Sequence, residues 1–289
     1  MITSCSKLPE SLPLGRLFLY LFNERFYKIE WNSITTFERG YFMTLVQASF
    51  FSKNLNRQVY YNAMIPTTQQ PLRTLYLLHG WSGSHDDWIK RTRVLELAEK
   101  YHIAIIFPNG ENSFYVDFSD AESYGKMVAE DLVTETRQLF NLSDKREDTW
   151  IAGLSMGGYG ALRLGFLYSH NFSKITAMSS RIIAKGMDGL DYQDYNQLPP
   201  TLKNIFIRKT PSEIEQELDL CVLAKRVKQW PKIELYCGRE DDFYQDNKNF
   251  YHWLKQKCST VNFYEAEGDH NWDYWNHVIE PVIQQLVAE

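Results

Sequence analysis

Apolar residues gather along this chain in short runs, and the segments between them carry apolar positions at helical spacing. "TLYLLHG" (74–80) and "IAIIFPNG" (103–110) have almost no polar face, the pattern of strands covered on both sides. "RQVYYNAMI" (57–65) alternates and stops at Pro66, which makes it the first strand predicted. "TWIAGL" (149–154), "KITAMSS" (174–180), "KIELYCG" (232–238) and "TVNFYEA" (260–266) supply four more. Between them, helices are predicted over 86–101, with Asp86 or Asp87 as N-cap, over 122–140, just after Ser155, over 246–257 and over 273–287. Strands alternating with helices predict a mostly parallel central sheet with helices on both faces. Residues 181–230 break the rhythm with irregular, polar, proline-containing sequence. They are read as a small cap-like insertion over the carboxyl ends of the strands, where open α/β sheets bind their ligands.

The N-terminal residues stand apart. "LPLGRLFLYLF" (12–22) is apolar but interrupted by Arg16, too short to span a bilayer and without a small-residue cleavage site. No stable membrane insertion is expected, and the run is read as a helix or extension packed on the surface. Residues 1–42 are read as an N-terminal extension with no assigned role, and 43–289 as the main α/β domain.

Composition narrows the partners. With 44% hydrophobic residues, 23% charged residues and a net charge of −5, the 289-residue chain has enough apolar sequence for a sizeable core and no basic block for nucleic acid. Cys5, Cys221, Cys237 and Cys258 form neither a C-x-x-C pair nor a metal-ligand spacing with histidine. The expectation is a cytoplasmic protein without disulfide framework, metal or organic cofactor. A homo-oligomer is left open.

The chemistry centres on "IAGLSMGGYGAL" (151–162), which sets Ser155 between Gly153 and Gly157. Element interiors avoid glycine, so the pattern calls for a tight strand-to-helix turn that strains the serine and exposes its hydroxyl: a G-x-S-x-G nucleophile elbow. A serine hydroxyl is a weak nucleophile and needs a base, itself oriented by an acid. Of the histidines beyond the helix that follows Ser155, His252 and His277 fall in predicted helices, whereas His270 follows a strand in a loop opened by Gly268. His270 is therefore the base. Glu240, Asp241 and Asp242 follow the preceding strand; a turn at Gly238 favours Asp241, with Asp242 left open. The oxyanion needs preorganised N–H donors. Met156 offers one at the start of its helix, and Trp81 the other in "HGWSGSHDDW", with His79 supporting that loop. Tyr115, Tyr159 and Trp272 are candidate pocket walls, with core packing the alternative for each. If the aromatics flanking these loops (Trp81, Trp88, Phe114, Tyr115, Tyr159 and Trp272) point inward, they shorten that pocket.

With these residues in view the chain resembles the esterase D-like branch of the α/β-hydrolases. It is most similar to the bacterial tributyrin esterases, with S-formylglutathione hydrolases and mycolyltransferases more distant. "LYLLHGWSGSHDDWIKRT", "PNGENSFYVD", "KREDTWIAGLSMGGYGAL", "CGREDDFY" and "GDHNWDYW" carry the resemblance over about residues 43–287. It implies a serine carboxylesterase acting on short-chain acyl esters, a small-molecule substrate, Ser155, Asp241 and His270 as triad, and Trp81 and Met156 as oxyanion donors. The alternatives are an S-formylglutathione-type thioesterase and an O-acetyl-sugar deacetylase. A non-catalytic binding module is argued against by the three triad residue types standing in chain order.

Overall fold

The apolar runs become the buried centre of a sheet. The computed structural model describes residues 18–22, 25–34, 43–119, 121–185, 203 and 205–288. Its strands are β1 (Phe18–Phe22), β2 (Arg25–Ile34), β3 (Met43–Ser52), β4 (Arg57–Pro66), β5 (Thr74–Leu78), β6 (Ala104–Pro108), β7 (Thr149–Leu154), β8 (Lys174–Met178), β9 (Lys232–Gly238) and β10 (Val261–Ala266). They lie in the order β1-β2-β3-β4-β6-β5-β7-β8-β9-β10. Pairing is parallel from β6 to β10 and antiparallel from β1 to β4 and between β4 and β6. Every residue of β5, β6 and β7 is buried, as strands covered on both faces must be.

Helices cover both faces. On one lie α5 (Met156–Leu167), α6 (Pro211–Glu217), α7 (Leu220–Ala224) and α8 (Tyr244–Lys255), whose buried side chains share a core with Val46, Tyr76, Ile151 and Ile175. On the other, α1 (Asp87–Arg91), α2 (Val94–Tyr101) and α9 (Trp272–Val287) pack on Leu75, Leu77, Ile105 and Trp150. Among the described residues no helix is long and apolar enough to cross a membrane.

Several elements differ from the sequence expectation. The helix expected over 86–101 is two helices. Thr92 separates them because its hydroxyl takes the Trp88 carbonyl at 2.6 Å and accepts from the Val94 amide at 3.3 Å, replacing backbone bonds of a continuous helix. The helix expected over 122–140 begins at Tyr124 and runs as α3 (Tyr124–Lys126), a π-helical segment (Met127–Leu132) and α4 (Val133–Leu139). No strand is predicted before Arg57, yet β3 is a full partner of β4, with Val46, Ala48 and Phe50 buried and Gln47 and Phe51 exposed on the opposite face. The apolar run 12–22, expected as a helix or surface extension, contributes β1, which pairs with β2 from Phe18↔Ile29 to Phe22↔Arg25. Cross-strand pairing satisfies backbone groups that so short a helix would hold only marginally. The rest of that run, and Cys5, lie outside the described residues.

Of the expected insertion 181–230, residues 186–202 and 204 lie outside the described residues. The remainder is tied down. Thr210 and Glu213 form a capping box on α6, and Asp219 caps α7. Tyr159 Oη and Arg163 Nε of α5 donate to the carbonyls of Leu218 (2.8 Å) and Glu217 (3.1 Å).

Candidate active site

Ser155 stands where β7 ends and α5 begins, with φ 52° and ψ −116°. That conformation is costly for a residue with a Cβ and persists only where the surroundings over-determine it. Here they do. The Ser155 amide donates to Met178 O at 2.9 Å, and its carbonyl accepts from Tyr159 (3.1 Å) and Arg181 (3.2 Å). Gly157 makes the close approach feasible, since a Cβ there would meet the carbonyl oxygens of His79 and Leu78 at 2.6 and 2.7 Å.

His270 Nε2 lies 3.0 Å from Ser155 Oγ, and its Nδ1 lies 2.9 Å from Asp241 Oδ2 and 3.1 Å from Oδ1. An ionised carboxylate only accepts, so Nδ1 carries the proton and the Nε2 lone pair faces the serine hydroxyl. Asp241 is buried. Burial alone would raise its pKa, but the hydrogen bond and charge of His270, the Phe243 amide and the Ser179 hydroxyl outweigh burial and hold it below the usual carboxylate value. Asp242 is exposed and makes no hydrogen bond to His270, and Glu240 instead accepts from the Gly268 amide at 2.6 Å. His252 and His277 are exposed on α8 and α9.

The loops carrying Asp241 and His270 are laced together by Arg239 N to Ala266 O (2.9 Å) and Glu240 N to Gly268 O (3.2 Å). Gly238 sits where they touch; a Cβ there would stand 1.9 Å from Gly268 O, with backbone rather than a pliable side chain in the way. Gly238→Ala is therefore expected to force the loops apart, costing about 1–3 kcal/mol of stability and lowering kcat with it. Urea unfolding and steady-state kinetics check this, and a wild-type midpoint and kcat would contradict it.

The other rim loop is built around His79, which is buried. The Gly110 amide can only donate, so His79 Nε2 accepts from it (2.9 Å) and Nδ1 donates to Gly80 O (2.8 Å). Burial depresses the His79 pKa, which keeps the ring neutral for that arrangement. The ring pins the turn bearing Trp81 to the 110–115 loop, and Gly80 lies against Ser155, its virtual Cβ 3.5 Å from the serine Cβ. The Trp81 amide donates no hydrogen bond among the described residues. Met156 opens α5, where the first amides have no intrahelical acceptor.

Two of the candidate pocket walls do not line the site. Tyr115 and Tyr159 are 0% exposed, with their hydroxyls donated to His79 O (3.0 Å) and Leu218 O. A ring with no accessible surface cannot wall an open pocket, so both lie beneath it as core. Trp272 is half-buried, packed edge-on against Trp88 (5.4 Å) and Trp275 (5.2 Å). Sequence reasoning passes over Phe243, Trp275 and Ser179, which touch the site or its supports, whereas Phe114 is among the flanking aromatics it names. Phe243 and Trp275 pack edge-on against the His270 ring at 4.9 and 5.1 Å. Ser179, at φ 47°, links the Trp275 indole N–H (3.0 Å) to Asp241. Phe114, at φ 52°, lies between Trp81 (5.5 Å) and Tyr159 (6.0 Å). The only sequence signal for them is proximity to the ends of predicted strands.

A strand-to-helix serine at positive φ on this sheet order defines an α/β-hydrolase. The Esterase family model matches residues 52–284. The chain is 37% identical over 255 residues to an acetyl esterase of Caldicellulosiruptor saccharolyticus, covering 82% of this chain and 96% of that one. Among solved structures it is similar to an S-formylglutathione hydrolase, FrmB, of Staphylococcus aureus, with TM-score 0.74, 27% identity and coverage of 85% and 99% of the two chains. It is also similar to FphF, a fluorophosphonate-binding serine hydrolase of Staphylococcus aureus, with TM-score 0.75, 27% identity and coverage of 86% and 99%. The chain belongs to the esterase family, on its esterase D-like branch, and is a serine carboxylic ester hydrolase.

Proposed function

We propose that the protein hydrolyses short-chain acyl esters, acetyl esters foremost, through Ser155, His270 and Asp241. The observation that carries this reading is a single imidazole bridging a strained serine and a buried carboxylate at hydrogen-bond distance on both sides. Ser155 Oγ attacks the ester carbonyl carbon as His270 Nε2 takes the hydroxyl proton. Asp241 holds the Nδ1–H tautomer and stabilises the imidazolium. The Met156 and Trp81 amides hold the oxyanion. As the C–O bond to the alcohol breaks, Nε2 returns the proton to the leaving oxygen. Water then repeats the sequence on the acyl-serine, releasing the acid and restoring Ser155.

Short acyl groups are supported by likeness to an acetyl esterase. Each methylene adds about 0.8 kcal/mol while it can be buried and nothing after that. Along 4-nitrophenyl acetate, butyrate, octanoate and palmitate, kcat/KM is expected to peak at acetate or butyrate and collapse by octanoate. A steady rise to palmitate would overturn this reading. A thioesterase acting on S-formylglutathione is the second reading, favoured by the likeness to the staphylococcal hydrolase; S-formylglutathione turned over faster than any ester in the series would establish it. We also place the protein in the cytoplasm, a reading supported by the buried free thiols of Cys237 and Cys258.

A further inference from the structure

The turn that carries Trp81 departs from a rule of local geometry. Gly83 N donates to Gly80 O at 3.2 Å, closing a β-turn with Trp81 and Ser82 at its two central positions. Ser82 has φ 60°, whereas Trp81 keeps a negative φ. Positive φ at the third of the four positions alone marks a type II turn, which normally takes glycine or asparagine there. A serine is strained in that conformation. The type I turn differs mainly by reversal of the central peptide, here Trp81–Ser82, and would return Ser82 to negative φ. The strained form persists only where neighbouring groups hold the peptide against that reversal.

Asn112 supplies the hold. Its Oδ1 accepts from the Ser82 amide at 2.7 Å, and that amide belongs to the central peptide. Reversal would turn the N–H away from Asn112. The anchor itself is fixed. Glu111 accepts from Tyr124 Oη at 2.6 Å and from Arg57 Nη2 at 2.9 Å, and Ser113 Oγ donates to Gly110 O at 2.6 Å. The same loop grips the chain just before the turn, where Gly110 N donates to His79 Nε2 (2.9 Å) and Tyr115 Oη to His79 O (3.0 Å). Trp81 therefore stands between two anchors on one platform, His79 before it and Ser82 after it.

We propose that Asn112 is a positioning residue for the oxyanion hole: it holds the Trp81–Ser82 peptide in its strained orientation and so aims the Trp81 amide at the reacting carbonyl oxygen. It acts through the turn and not on the substrate. The proposal rests on the reading of Trp81 as an oxyanion donor, within the ester-hydrolase reading above. Such a donor works by being preorganised. A turn that samples both peptide orientations therefore lowers turnover without weakening substrate binding.

The test is steady-state kinetics of the full chain on 4-nitrophenyl acetate. Asn112→Ala is expected to lower kcat about ten- to hundredfold, short of the 10²–10³ that loss of a donor costs, with KM and the urea midpoint near wild type. Ser82→Gly added to Asn112→Ala should restore most of that loss, because glycine takes positive φ without strain and no longer needs the anchor. The donor itself is tested separately. Proline suits the second position of a type II turn but has no N–H. Trp81→Pro should therefore lose far more kcat than Trp81→Ala, which keeps the amide. Asn112→Ala with wild-type kcat, a loss carried by KM, or a loss that Ser82→Gly leaves in place would overturn the proposal, even with Trp81→Pro slow. Trp81→Pro matching Trp81→Ala would overturn the donor reading and the proposal with it. No turnover by the wild-type chain would overturn the ester-hydrolase reading on which both stand.

Discussion

Ser155→Ala is expected to reduce kcat on 4-nitrophenyl acetate by about 10⁴–10⁶ while leaving the unfolding midpoint near wild type. The two halves of this expectation have separate causes. The hydroxyl is the only group of that side chain placed 3.0 Å from the His270 lone pair, so its loss removes the covalent route entirely. Residual turnover would come from the oxyanion donors and substrate binding alone. Stability should hold because the residue is only half-buried and loss of its hydroxyl opens no core cavity. Alanine at φ 52° bears the same backbone strain as serine. A single-site change of this kind normally stays within about 0.5 kcal/mol. Steady-state kinetics and urea unfolding of the same preparation check both halves. Turnover within tenfold of wild type would move the nucleophile elsewhere.

Asp241→Asn should cost about 10⁴ in kcat, whereas Asp242→Asn should cost almost nothing. An asparagine amide can donate to Nδ1, favouring the tautomer whose proton sits on Nε2, where it faces Ser155 and cannot accept. Asp242 is exposed and touches neither ring nitrogen. Equal losses in the two variants, or the reverse order, would reassign the acid. The same carboxylate gives a pH signature. Its pKa is held below the usual value in the folded protein, so the stability it contributes is fully present above about pH 4 and is lost as pH falls through its folded value. The stability gap between wild type and Asp241→Asn should therefore shrink as pH falls below about 4. Urea midpoints measured from about pH 4 into stronger acid check the sign; a gap that widens over that range would contradict it.

The features that could be read from the chain rest on local rules. Gly153 and Gly157 around Ser155 demand a turn whatever the rest of the molecule does, and His270 follows Gly268 straight out of a strand. The short buried strands were legible because each is a continuous apolar run with a defined stop. What escaped depends on distant partners. Nothing near Tyr115 or Tyr159 in sequence announces that His79 O and Leu218 O will take their hydroxyls and draw both rings into the core. Ser179 acquires its role from Trp275, 96 residues away. The break at Thr92 turns on one hydroxyl choosing the Trp88 carbonyl, in a stretch whose apolar spacing is helical throughout. β3 alternates as a strand with one apolar face should, but Gln47 and Ser49 dilute its apolar signal.

If Ser155 is the nucleophile of an ester hydrolase, a serine-directed phosphonylating reagent should find it and no other serine. The most direct measurement is peptide mass spectrometry after labelling the full chain with a fluorophosphonate. One stoichiometric adduct is expected, on the peptide carrying Ser155, formed in step with loss of 4-nitrophenyl acetate turnover and absent from Ser155→Ala. A stoichiometric adduct on another serine, or full labelling with turnover intact, would contradict it.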